Sequence, residues 1–153
     1  MNVIMGMAMV ALPTVIGATS TGWSTVGTMA NRAAMSYFEH GRPRLIMTCS
    51  GTQTIVQVRG FEAAQQWPQP VMSVKFGDIE RAERPNLTLL GDQTAFGFDF
   101  PISDSVLTKI RSGALIEASY RGKIRRFPIA PAAYRREFAD RCAALIPMGM
   151  RKG

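Results

Sequence analysis

Residues 44–59 read RLIMTCSGTQTIVQVR, and this stretch decides the fold. Its two halves are rich in β-branched and other apolar residues and flank a short turn at residues 50–52, a pattern typical of a β-hairpin. Successive side chains of a strand point to opposite faces, so the first strand places one set of residues inward. These inward residues are Leu45, Met47 and Cys49.

Further strands and helices are predicted from the rest of the chain. Alternating apolar residues between turn signals predict five more strands, at residues 71–76, 86–90, 94–100, 114–120 and 123–129. Helical spacing predicts a mid-chain helix that Ser103 or Asp104 caps and Gly113 ends. Pro131 opens a C-terminal helix. The buried strip of that helix is expected to comprise Tyr134, Phe138, Cys142 and Leu145.

Two other stretches lack a clear strand alternation. In residues 28–38 the apolar side chains recur at four-residue steps, which favours a short amphipathic helix or an irregular N-terminal arm. Residues 78–85 alternate in charge sign and end in proline, which indicates a solvated connection.

Together these elements predict a β-dominated α+β fold. We expect an antiparallel meander sheet, or a small sandwich or barrel, of about six or seven strands. A mid-chain helix and a C-terminal helix complete it. The length of 153 residues suits one core, so we assign residues 23–146 to a single β-rich domain and residues 147–153 to a basic tail.

Residues 1–22 are expected to be a signal peptide. No charged side chain precedes Arg32, and the apolar run at residues 3–16 is too short to cross a bilayer. Small residues at 17–20 then provide a cleavage zone. The alternative is a buried N-terminal helix, which Pro13 would interrupt. Export predicts a periplasmic or secreted location, with no transmembrane span in the mature chain.

Cys49 and Cys142 are the only cysteines. In an oxidising compartment an even cysteine count indicates one disulfide. Cys142 lies on the apolar strip of the last helix, and Cys49 lies on the inward face of its strand. Two separate buried thiols are the alternative, which a cytosolic location would favour.

The sequence contains no recognisable catalytic or metal-binding pattern. His40, the only histidine, lies in a polar loop without the ligand spacing of a zinc site. It is also the only general base of the usual kind, and no nucleophile-elbow or phosphate-loop motif occurs. We therefore expect a non-enzymatic protein without catalytic residues, a metal or a cofactor.

Basic residues are concentrated in the last third of the chain. Residues 1–108 carry seven basic and eight acidic side chains, whereas residues 109–153 carry eleven basic and three acidic ones. The net charge of +7 thus arises late in the chain and favours an anionic partner. An ordinary solvated face is the alternative. The predicted contact patch comprises Arg121, Lys123, Arg125, Arg126, Arg135, Arg136 and Arg141.

The order of elements and the cysteine positions carry a family resemblance. The first strand reads PRLIMTC at residues 43–49, a capped helix precedes GALIEA at 113–118, and the last helix contains FADRCA at 138–143. In this outline the chain resembles small exported proteins of Gram-negative bacteria, among them invasion-associated locus B proteins and a type VI secretion-associated periplasmic family. Over residues 43–144 the resemblance implies a compact β core and a structural disulfide between Cys49 and Cys142.

Three functions remain open from the sequence. The first is a periplasmic or secreted accessory protein whose basic patch contacts an unknown protein or an anionic envelope component. The second is a nucleic-acid-binding small β-barrel, suggested by positive charge and by three strand aromatics, although export makes nucleic acid an unlikely partner. The third is a hydrolase inhibitor that inserts residues 61–70 into a cleft, with Trp67 as the anchor. Alternatively, Trp67 folds back over the sheet edge.

Overall fold

The computed structural model describes residues 20–51 and 53–147, without the side chain of residue 53. The expected signal peptide at 1–22 lies outside the described residues except for its last three positions, and the expected tail at 147–153 lies outside them except for its first. Within the described part, ten strands and two helices form the β-dominated α+β fold that the sequence predicts.

The strands comprise β1 (Gly22–Ser24), β2 (Ala33–Glu39), β3 (Arg42–Ser50), β4 (Gln53–Arg59), β5 (Met72–Phe76), β6 (Ile79–Glu83), β7 (Asn86–Leu90), β8 (Gln93–Asp99), β9 (Ile116–Tyr120) and β10 (Lys123–Phe127). The helices are α1 (Asp104–Ser112) and α2 (Ala132–Leu145). The six or seven strands expected from the sequence thus become ten among the described residues.

The strands form two separate antiparallel sheets. The first sheet has the order β1-β2-β3-β4-β8-β7, and the second has the order β10-β9-β5-β6. The hairpin of β3 and β4 lies at the centre of the first sheet, where Met47 is opposite Val56. As predicted, the inward residues Leu45, Met47 and Cys49 are buried.

Both sheets contribute to one hydrophobic core. Aromatic rings contact each other across this core at centroid distances of 4.9 to 6.0 Å, edge-to-face in the first and third of the pairs named next and tilted in the second. These pairs are Tyr37 with Phe127, Phe96 with Tyr120, and Phe76 with Phe100. The strand aromatics Phe96, Phe98 and Phe100 are all buried, so they form core and not an exposed stacking platform.

The predicted helix or irregular arm at residues 28–38 is wrong for residues 33–38, which belong to strand β2. Five consecutive residues of this strand, 33–37, are buried, so the usual alternation of buried and exposed positions is absent. One reason is the preceding segment, where the Thr28 hydroxyl accepts a hydrogen bond from the Ala34 amide and donates one to the Ala34 carbonyl oxygen.

The predicted connection at residues 78–85 is also wrong, because strand β6 occupies most of it. Gly77 adopts a left-handed φ of 63° in the turn that joins β5 to β6, and Phe76 is opposite Ile79. Strand β6 is the edge of the second sheet. Charged side chains are common on edge strands because they discourage pairing with other chains.

Helix α1 begins and ends as its sequence predicts. The Ser103 hydroxyl accepts a hydrogen bond from the Val106 amide at 3.2 Å, and Gly113 ends the helix with a left-handed φ of 79°. The apolar face of α1 is buried and comprises Val106, Leu107 and Ile110.

Helix α2 is joined covalently to the first sheet. A disulfide connects Cys49 of β3 to Cys142 of α2, with a Cα–Cα distance of 5.6 Å and both side chains fully buried. Phe138 of the predicted strip is also buried. The first and last residues of the strip, Tyr134 and Leu145, are partly exposed and pack against the core. The bridge therefore confirms the expected pairing of the first predicted strand with the last helix.

Candidate functional site

The segment at residues 60–71, which we name the Trp67 loop, presents an aromatic side chain to solvent. Trp67 is 74% exposed, so the interpretation that it folds back over the sheet edge is wrong. Val71, at the end of the same loop, is 51% exposed. Tryptophan is among the residue types that most often dominate the binding energy of protein interfaces.

Buried hydrogen bonds support the Trp67 loop from below. Gln69 is only 2% exposed, and its side-chain amide donates to the carbonyl oxygens of Ala64 and Gln66 at 2.8 and 3.3 Å. The buried Tyr120 hydroxyl donates to Gln69 Oε1 and accepts from the Ala64 amide. The loop backbone is therefore held against β9 while Trp67 points away from it.

Two cations lie beside this loop, at the turn between β9 and β10. Arg121 and Gly122 both have left-handed backbones, with φ of 52° and 76°, as a tight hairpin turn requires. Arg121 and residues 62–66 line one depression of about 380 Å³, and Arg121 and Lys123 border another of about 210 Å³. The Trp67 loop and this turn thus form one continuous surface.

The seven predicted patch cations are not gathered on one face. Arg126 pairs with Glu117 of the neighbouring strand, and Arg141 lies 3.3 Å from Glu137 one helical turn earlier. Such exposed pairs reduce the charge available to a partner. The patch members without a carboxylate partner in the described part of the chain are Arg121, Lys123, Arg135 and Arg136.

The side chain of Arg135, a member of the predicted patch, is engaged in hydrogen bonds to the backbone. Its Nε donates to the carbonyl oxygen of Ala130 at 2.8 Å, and its Nη1 donates to that of Arg111 at 2.5 Å. Because Arg111 is in the last turn of α1, this contact satisfies a helix carbonyl that has no partner within the helix. Arg135 therefore links the two helices.

Arg125 points between the two sheets and meets residues that the sequence did not single out. Its Nη2 lies 3.1 Å from Glu39 Oε2, and Arg44 Nε lies 3.2 Å from the same oxygen. Both guanidinium groups also approach Gly60. We name Glu39, Arg44, Arg125 and Gly60 the Gly60 cluster.

Arg44 reaches this cluster through an irregularity in strand pairing. Tyr37 is opposite Leu45 whereas Phe38 is opposite Pro43, so Arg44 is the extra residue of a β-bulge. A bulge redirects side chains, but the alternation of apolar and polar residues in the sequence does not reveal it. Arg44 was therefore not predicted as a site residue. Arg59, the residue before Gly60, has a buried Nε without a hydrogen-bond partner, and burial lowers the pKa of its guanidinium.

The fold and this surface define the class of the protein: a disulfide-bridged, two-sheet β domain with an exposed aromatic loop beside cations that have no carboxylate partner among the described residues. Comparisons with protein-family models, curated proteins and solved structures found no match to this chain. No helix among the described residues is long and apolar enough to cross a membrane. Those same residues contain no group of three or more His, Cys, Asp or Glu side chains that could hold a metal ion.

Proposed function

We propose that this chain is an exported, non-enzymatic binding protein that contacts an acidic surface of a partner protein through the Trp67 loop and the Arg121 turn. The observation that carries the proposal is the 74% exposure of Trp67 on a loop whose backbone is supported by buried hydrogen bonds. Tryptophan and arginine are the residue types most enriched among those that dominate binding energy at protein interfaces.

The support of the loop favours binding. Ordering a flexible loop opposes association, and a loop already held in place avoids much of that entropy loss. Gln69 and Tyr120 provide this support without covering Trp67. The aromatic side chain can therefore enter a pocket of the partner without refolding of the loop.

The charge around the loop favours an acidic partner. Arg121 and Lys123 are exposed and lack ion-pair partners within the described part of the chain. Their charge is part of the net charge of +7 and attracts an acidic partner over the range that salt screening permits. Glu62 borders the same depressions and limits how many carboxylates of a partner can approach.

The disulfide supports export, because structural disulfides persist in oxidising compartments such as the periplasm or the extracellular space. The proposed signal peptide at residues 1–22 and the resemblance to exported bacterial proteins remain part of this proposal. Mass spectrometry of protein from its native cells, with and without reductant, tests both. A mature chain that begins near residue 23 with a two-proton mass difference is expected, and an unprocessed chain with two free thiols would contradict export.

Site-specific photo-crosslinking in the native cell tests the binding surface. A crosslinking amino acid at Gln66 should capture a defined protein, and the same group at Leu89, an apolar position on β7 that is 80% exposed, should not. Trp67→Ala and Arg121→Glu should each abolish the crosslink without lowering the melting temperature. Equal capture from Leu89, or an undiminished crosslink in both variants, would contradict the proposal.

Hydrolase inhibition is a second candidate that the exposure of Trp67 favours, since an exposed aromatic on a supported loop suits a substrate cleft. In that case the crosslinked protein is a hydrolase, and the purified chain inhibits it in proportion to occupancy. Trp67→Ala should then relieve inhibition, whereas Leu89→Ala should leave it unchanged. A crosslinked hydrolase that keeps full activity in the complex would exclude this candidate.

A further inference from the structure

The Gly60 cluster carries more positive than negative charge. Two guanidinium groups share one carboxylate, and both approach the same oxygen, Glu39 Oε2. Only the contact from Arg125 has hydrogen-bond geometry, since Arg44 Nε is buried without a hydrogen-bond partner. One formal positive charge and several N–H donors therefore remain uncompensated within this cluster.

The Nη1 atoms of Arg125 and Arg44 both pack against Gly60. A Cβ atom on Gly60 would stand 2.2 Å from Arg125 Nη1 and 2.9 Å from Arg44 Nη1. Neither Nη1 atom has a hydrogen-bond partner among the described residues. Gly60 has no side chain to intrude and has a left-handed φ of 96°, which favours glycine.

The partial burial of these side chains favours binding of an anion. The side chains of Arg44, Arg125 and Glu39 are 21%, 28% and 29% exposed, so like charges are held together with much of their hydration removed. An additional anion would reduce this repulsion and satisfy the donors. The remaining exposure leaves an approach from solvent.

We propose that the Gly60 cluster binds a phosphate-type oxyanion, either free or as part of a larger ligand. Guanidinium groups match tetrahedral oxyanions because their parallel N–H donors can contact two oxygens at once. Two such groups packed against Gly60 supply donors from both sheets, while Glu39 holds Arg125 in position. The site is separate from the proposed contact of Trp67 with a partner protein, and its failure would leave that proposal intact.

Titration of the full-length protein with inorganic phosphate at constant ionic strength tests the site. Saturable shifts of the Gly60 amide in NMR spectra are expected. Arg44→Gln and Arg125→Gln should each weaken binding about tenfold or more, because each removes charge-assisted hydrogen bonds. Arg126→Gln is the matched control: it lies on the same strand, pairs with Glu117 outside the cluster, and should bind like the unmodified protein.

Glu39→Gln separates a binding role from a merely structural one. Removing the competing carboxylate should tighten phosphate binding several-fold, even though it breaks the ion pair of Glu39 with Arg125 that joins the sheets. Arg125→Lys retains the charge and should weaken binding without unfolding the chain, which circular dichroism checks. Weaker binding in Glu39→Gln, or unchanged binding in Arg44→Gln and Arg125→Lys, would overturn the proposal.

Two further arms distinguish the source of the oxyanion. Glycerol phosphate tests a phosphate monoester, and vesicles of phosphatidylglycerol test a lipid phosphodiester. Saturable binding to either that Arg44→Gln weakens supports the site and names its source. Acetate at the same ionic strength should not produce the Gly60 shift. An equal response to acetate would overturn the assignment. The absence of a saturable response to inorganic phosphate, to glycerol phosphate and to the vesicles would also overturn it.

Discussion

Opening the Cys49–Cys142 bridge is expected to remove about 4 to 5 kcal/mol from the free energy of unfolding. The two cysteines are 93 residues apart, and the bridge restricts the unfolded chain by closing that long loop. In the chain-entropy treatment a closed loop of this size stabilises the folded state by about 4.7 kcal/mol. Most small domains have a total stability of about 5 to 15 kcal/mol, so this loss is a large share.

Urea titration of the oxidised and the reduced protein measures this difference. The reduced protein should have a lower midpoint and a larger denaturant dependence, since its unfolded chain exposes more surface. Cys49→Ala with Cys142→Ala should be destabilised at least as strongly, because two buried sulfur atoms are also lost. A stability difference below about 1 kcal/mol between oxidised and reduced protein would refute the loop-closure argument.

Three more predictions concern local contacts. Ser103→Ala should destabilise the protein by about 1 kcal/mol by removing the cap of α1, and Ser105→Ala, at an exposed first-turn position, should change urea stability by less than about 0.5 kcal/mol. Tyr120→Phe should cost about 1 to 3 kcal/mol and accelerate proteolysis within the Trp67 loop, because buried partners of the hydroxyl lose their hydrogen bonds. The Lys109 ammonium, 2.7 Å from Asp78, lowers the pKa of that carboxyl below its ordinary value of 3.8. Its stabilising effect is therefore present above pH 3.8 and is lost as the pH falls through the lowered pKa, and Asp78→Asn should remove this part of the acid dependence of the melting temperature.

The elements predicted correctly are those whose local pattern agrees with their tertiary environment. The hairpin of β3 and β4 has one buried face and a clear turn, so its alternation survives in the sequence. The cap at Ser103 and the stop at Gly113 are likewise set by the chemistry of single residues. The disulfide was predicted correctly because both cysteines lie on inward faces of correctly predicted elements.

The errors arose where the environment hides the local pattern. Strand β2 is buried at five successive positions, so its sequence has no alternation of apolar and polar residues. Strand β6 is a charged edge strand that resembles a loop by composition, although the Gly77-Asp78 dipeptide before it is a hairpin signal. In both cases the burial of the strand depends on the segments that pack beside it, and the sequence of the strand alone does not show those segments.

The candidate site was predicted only in part for a related reason. Trp67 was predicted as a loop anchor, and Arg121 was predicted as one of seven cations in a basic patch, both from local composition. The support from Gln69 and Tyr120 joins residues 51 positions apart, and no periodicity connects them. The position of Arg44 depends on a bulge, which is a property of two paired strands and not of one.

The covalent ring closed by the disulfide encloses both the Trp67 loop and the Arg121 turn. A protease that cuts once within either exposed segment would open the ring without releasing a fragment, because the two pieces stay attached through sulfur. Damage at the binding surface would therefore leave the mass of the non-reduced protein almost unchanged. Such cleavage would become visible on a gel only after reduction, when the chain separates into two pieces.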